Sequence, residues 1–271
     1  QTLLAGGDYA VATGWVESES SDVLFLSIAA DAPRASSAAT AVATIQNMST
    51  AGVEGIRTDH RKWWADWYPR SFLSIAQPAT DDAQGLTTVL EGFYWIQMYK
   101  LASATRAEGP ALDLMGPWFQ PSSWLYYWFD LNEQLQYWPV YTANRLDIGR
   151  GLVDYVAQNF SQLHANVPPE YQNDSMVIGG ACPYDMACPA NFPSVVGDGI
   201  WICHNLWMQA RYAADDELLR TTLFPMLKGM VNFHRRHLFS PNASAGASAS
   251  TDSSTGAGAS STLHLPHSSS P

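Results

Sequence analysis

Between Ser36 and Leu238 apolar residues recur at helical spacing, and this constrains the fold more than any other feature of the chain. The clearest case is Gln84 to Arg106, where Leu86, Val89, Leu90, Phe93, Ile96 or Gln97, Lys100 and Leu101 trace one broad stripe. An Ala-rich run at 36–52 ends on a glycine that predicts a stop. Residues 53–68 follow, with Trp63, Trp64 and Trp67 at helical spacing. Residues 147–164, 199–213 and 216–238 predict three more helices. The last should kink or split at Pro225, whose ring cannot continue the hydrogen-bond ladder.

The first 35 residues differ. DYAVATGW and DVLFLSIAA are apolar runs around the polar VESESSD, which reads as strand, turn, strand. Two strands alone are unstable in water, so they are expected to end a β-rich domain lying mostly outside this chain. Two long aperiodic connections, 108–124 and 167–198, separate the helices, and such connections are often functional. Short and long loops in alternation suit a helical bundle or toroid with the long loops gathered at one end. Residues 239–261 are Ser-, Ala- and Gly-rich and read as a disordered insertion, after which 262–271 regains some character.

Composition narrows the partners. Of 271 residues, 14 are basic and 25 acidic, for a net charge of −11 with no basic run, which argues against nucleic acid and anionic membranes. The longest apolar runs fall short of a membrane span. Cys182 and Cys188 could close a small loop, leaving Cys203 alone; no His or Cys cluster has zinc-site spacing, so neither metal nor cofactor is expected. Sequons at Asn47, Asn159, Asn173 and Asn242 lean towards a secretory route. The chain begins with Gln and shows no signal peptide, so that segment was removed or the chain is a piece of something longer. Oligomeric state leaves no trace.

Eleven Trp, twelve Tyr and ten Phe suit either a ring-rich core or a concave site where rings stack on a ligand. WFDLNEQLQYWPVYTANRL (128–146) sets Asp130, Asn132, Gln134 and Gln136 among such rings. Amides supply both donor and acceptor, so Asn132 and Gln134 suit the hydroxyls of a sugar or a water beneath it. Trp118, Tyr137 and Trp138 offer faces for the C–H side of a pyranose. Asp130 has two readings: a general base for that water, or a cap on a helix beginning near Leu131. Glu133 is expected to take no part, because it should point away from Asn132 and Gln134.

Four segments carry a resemblance: HRKWWADWYPRSFLSI (60–75), DLNEQLQYWPVYTANRL, GIWICHNLWMQARYAADDELL with LFPMLKGMVNF, and TLHLPHSSSP. In this order they resemble the catalytic domain of glycoside hydrolase family 95, the inverting α-L-fucosidase family, over residues 20–238 and 262–271. The resemblance implies a mainly α fold, a partial (α/α)6 barrel preceded by the last strands of a β-sandwich. It implies hydrolysis of a terminal α-linked L-fucosyl or L-galactosyl group of a glycan. Two Asn spaced i, i+2 hold the nucleophilic water in that family, with help from a downstream carboxylate. Asn132 matches the second; Asp130 departs from the first. Asn205 falls where the family has His, with His204 beside it, and both are candidate sugar contacts. The family's acid is a Glu after Ser-Pro, one residue past Pro271, so 262–271 reads as a truncated return segment of a catalytic domain that is incomplete and inactive by itself. The alternative is a non-catalytic carbohydrate-binding relative with a ring-lined cleft.

Overall fold

The computed structural model describes residues 8–17, 22–31, 36–76, 81–107, 109–116, 124, 126–188 and 197–239. Trp118, the low-complexity insertion and the return segment lie outside them. Contacts divide the chain into two units, 1–74 and 75–271.

In the first unit, β1 (Asp8–Glu17) and β2 (Asp22–Asp31) pair antiparallel, with Val11 opposite Ile28 and Gly14 opposite Phe25. Alternation sends Phe25 and Ser27 inward, onto Ala41 and Ile45 of α1 (Ser37–Trp67). The other face carries Val11, Trp15, Leu24, Leu26 and Ile28, all exposed. Asp8 holds the start of α1, accepting from the Ser37 amide at 3.2 Å. The glycine stop expected at residue 52 is a break within α1: Gly52 sits at φ 65°, ψ 171°. Further along, Trp67 is buried, stacked on Trp63 and met edge-on by Trp64. Helix α1 packs on the hairpin and groups with it in one contact unit.

The second unit is helical. Its elements are α2 (Asp81–Ala104), the short strand β3 (Tyr127–Trp128), α3 (Asn132–Thr142), α4 (Leu146–Gln158) and α5 (Phe160–Ala165). After them come β4 (Ala181–Cys182), α6 (Asp198–Ala213), α7 (Asp216–Leu218) and α8 (Phe224–Phe239). The helix expected at 147–164 is interrupted at Asn159 (φ −105°, ψ 13°). Pro225 does split the last one: a π turn, Leu219–Leu223, precedes α8, and the proline takes an early position where its missing N–H costs little. Helix α6 is central, packing against α3, α4 and α8, with Ile202 and Leu206 fully buried.

Much of the second long connection is structural. Ser175–Gly179 is a buried extended segment whose Met176 and Val177 amides bond to Gly229 of α8 and Leu163 of α5. Arg236 clamps Asp174 with two guanidinium hydrogen bonds at its start. The segment delivers β4 to β3, pairing Tyr127 with Cys182 and Trp128 with Ala181.

Gly151 of α4 shows how closely these parts approach. A Cβ there would lie 2.9 Å from the Arg106 carbonyl oxygen and 3.1 Å from Thr105 Oγ1. Backbone cannot swing aside as a side chain can. Gly151→Ala is therefore expected to destabilise the chain by about 1–3 kcal/mol, read as a lower urea midpoint at unchanged slope.

Candidate active site

The site is built where β3 runs into α3. Tyr127 and Phe129 are buried, so alternation turns Trp128 and Asp130 the other way. The Phe129 amide donates to the Gly180 carbonyl at 2.7 Å, which fixes the chain just before the turn. Helix α3 then starts at Asn132 with Leu131 in the cap position and no side-chain cap. Asp130 is thus not spent on the helix terminus: its Oδ1 is buried without a hydrogen-bond partner. Asn132 is half-buried, and its side chain makes no hydrogen bond among the described residues.

Gln134 is fully buried and acts as a brace. Its Nε2 donates to the Phe129 carbonyl and, at 3.5 Å, to that of Asp198, while Oε1 has no partner. Across from it, fully buried Asn205 of α6 donates from Nδ2 to the Gln134 carbonyl at 2.9 Å, and its Oδ1 too is unpartnered. Asp198, the first residue of α6, is 2% exposed with an unpartnered Oδ2. Burial, and after it the charge of Asp130, pushes the Asp198 carboxyl up to about 7.

The structure thus brings Asp130, Gln134 and Asn205 together and adds Asp198. Other sequence candidates fall elsewhere. Tyr137 is fully buried and its hydroxyl accepts from the Leu112 amide at 2.7 Å, so its ring packs the core and presents no face to a ligand. Trp138 and His204 lie on the exposed sides of α3 and α6, the Trp138 ring edge-on to His204 and His204 stacked on Trp207. His204 is therefore on the solvent side of α6 while Asn205 lies in the core. Trp118 lies outside the described residues.

Three features escaped the sequence. Asp198 stands between two glycines at a helix start, where an acid ordinarily reads as a terminus residue. Trp128 packs against half-exposed Trp124 with centroids 4.5 Å apart, a ring pair two residues from Asp130. Glu133 does not swing away from Gln134 as expected; both are fully buried on α3. Burial, then the charge of Asp113, holds its carboxyl well above the usual carboxylate range, against the backbone of Trp128. A cavity of about 560 Å³ opens beside the other flank of α3, lined by Gln97, Lys100, Met115, Leu135 and Gln136 among others.

Asp198 makes a pH prediction. A carboxyl raised in the folded state favours folding while protonated, so that stability is lost as pH rises from about 3.8 to about 7. Asp198→Asn should flatten the stability curve over that window, by up to about 3 kcal/mol with solvent screening allowed for, read by urea unfolding at a series of pH values.

Among the described residues no group of three or more His, Cys, Asp or Glu is placed to hold a metal ion, and no helix is long and apolar enough to cross a membrane. The helical core thus gathers carboxyls, amides and rings where β3 meets α3 and at the start of α6. The family model described as the glycosyl hydrolase family 95 catalytic domain matches residues 79–261, so the chain is a glycoside hydrolase, with a glycan as substrate. It belongs to glycosyl hydrolase family 95. No curated protein matches it.

Proposed function

We propose that the chain is the N-terminal part of an inverting hydrolase of the α-L-fucosidase type, releasing a terminal α-linked L-fucosyl or L-galactosyl group. The observation that carries this reading is a group of four among the buried oxygens without partners: Asp130 Oδ1, Gln134 Oε1, Asp198 Oδ2 and Asn205 Oδ1. All four are acceptors, tied to one another through the Gln134 and Asn205 hydrogen bonds and the charge of Asp130 on Asp198. Buried acceptors call for donors, and sugar hydroxyls and a bound water supply O–H groups.

The chemistry follows. Asn132 holds a water beneath the anomeric carbon, and the Asp130 carboxylate takes its proton as the water attacks. The glycosidic oxygen leaves from the opposite face with a proton from a general acid. Trp128 and Trp124 offer the platform for the sugar ring. The family resemblance assigns the acid to a Glu that follows a Ser-Pro pair and places the helices in an (α/α)6 barrel. The exposed apolar face of the hairpin supports a β-sandwich whose second sheet covers it. The sequons support a secretory route.

The test is an assay of the protein carrying the whole reading frame on aryl α-L-fucoside, α-L-galactoside and α-D-galactoside. Release from the L-sugars alone is expected. Binding of L-fucose by calorimetry without any release would replace the hydrolase with a carbohydrate-binding relative, and release from the D-sugar alone would overturn the specificity.

A further inference from the structure

The 182–188 loop brings two thiols onto one residue. Cys182 Sγ donates to the Gly179 carbonyl at 3.5 Å, and the Gly179 amide donates to Cys188 Sγ at 3.1 Å. Both thiols are thus tied to the backbone of the same residue, Gly179. Asn166 Nδ2 gives Cys188 Sγ a second donor at 3.2 Å. Asn166 fixes the loop as well, accepting from the Cys188 amide at 3.2 Å and donating to the Met186 carbonyl at 2.9 Å. The thiols are therefore held together before any bond joins them.

Their surroundings assign them different parts. Cys188 is partly exposed and accepts from two donors, the Gly179 amide and Asn166, while its thiol donates to the Met186 carbonyl at 3.4 Å; Cys182 is fully buried. The neighbouring Cys182 thiol, and after it the Gly179 amide, holds the Cys188 thiol below its ordinary value; the neighbouring Cys188, with burial, pushes Cys182 up. An accessible low-lying thiol beside a buried second one is the arrangement of an attacking and a resolving cysteine. Cys203, buried on α6, is raised by burial alone.

We propose that Cys182 and Cys188 are a dithiol–disulfide couple that fastens the strand leading into the candidate site. The Cys188 thiolate attacks one sulfur of a small-molecule disulfide such as oxidised glutathione. A mixed disulfide forms, and one glutathione leaves as thiolate to take up a proton. Cys182 then gives up its proton and attacks Cys188 Sγ, expelling the second glutathione as thiol. Two protein thiols are oxidised and one disulfide is reduced to two thiols, so the step balances. The new bond closes a loop whose first residue, Cys182, is the β-partner of Tyr127, two positions after the Gly180 carbonyl that holds the Phe129 amide. Oxidation therefore stiffens the support under Asp130 and Asn132.

The test incubates the purified chain with oxidised glutathione, quenches with acid, alkylates under denaturing conditions and maps the peptides by mass. A Cys182–Cys188 linkage, lighter by two hydrogens, is expected, with Cys203 alone alkylated. Cys203→Ser should oxidise like the native chain, and Cys182→Ser should stall with one glutathione on Cys188. Native and Cys203→Ser chains that retain glutathione on Cys188, or that leave both thiols open to alkylation, would overturn the couple even if Cys182→Ser fails to fold. Hydrogen exchange tests the fastening separately. The Phe129 amide should exchange about ten-fold more slowly in the oxidised chain, and an unchanged rate would show that the bond does not brace the strand.

Discussion

Asp130→Asn is expected to lower kcat on an aryl α-L-fucoside by about a hundred- to ten-thousand-fold with KM little changed, the ordinary worth of a general base. The substitution is informative because it installs the asparagine that the family pattern carries at this position, in a side chain of the same shape. An amide can hold the water but cannot take its proton. If Asp130 merely shapes the turn, the variant should keep near-native rates, because helix α3 draws no cap from it. Asn132→Ala removes the other support of the water and should cost a similar factor. The pH profile separates chemistry from folding. Asp198 gains its charge near pH 7 beside Asp130, and a second negative charge there changes the base's surroundings. Asp198→Asn should remove that limb of the kcat profile. Steady-state kinetics between pH 5 and pH 9 would show whether it does.

Phe129→Ala carries the largest expected effect on stability, about 3–5 kcal/mol. Its ring is wholly buried, and its backbone is tied at both ends, the amide to Gly180 and the carbonyl to Gln134. Removing the ring leaves a cavity that those bonds keep from collapsing. The same residue sets the direction in which Asp130 leaves the core, so folded protein recovered at low temperature should also lose activity. A urea titration at unchanged slope would report the first effect, and activity per folded molecule the second. Leu135→Ala, on the exposed side of α3, should by contrast stay within about 0.5 kcal/mol.

The helices were legible because a one-sided apolar pattern has a period, and α2, α6 and α8 fall where that period predicts them. The Gly52 break and the split before Pro225 were legible because glycine and proline act locally. The pairing of β3 with β4 was not. Two residues on each strand carry no alternation to detect, and the partners are more than fifty positions apart. That pairing decides which way Asp130 faces.

The fate of Tyr137 was partly legible. Glu133, Gln134, Tyr137, Val140 and Tyr141 form one buried stripe at helical spacing, which leaves Trp138 outside. Adjacency in YWP suggested a shared role where helical phase separates the two rings. Family likeness, more than periodicity, singled out Asp130, Asn132 and Asn205. It passed over Asp198, whose meaning comes from burial beside a second acid. Likewise, Glu133 became visible only as a buried carboxyl with Asp113 near it.

Displacement by a water held at the Asp130–Asn132 end of α3 inverts the anomeric carbon. The most direct measurement is proton NMR of the first sugar released from an α-L-fucoside by the protein carrying the whole reading frame, recorded before mutarotation. β-L-Fucose is expected first, at a rate that falls with Asp130→Asn. First appearance of the α anomer, or native-rate release by the variant, would contradict it.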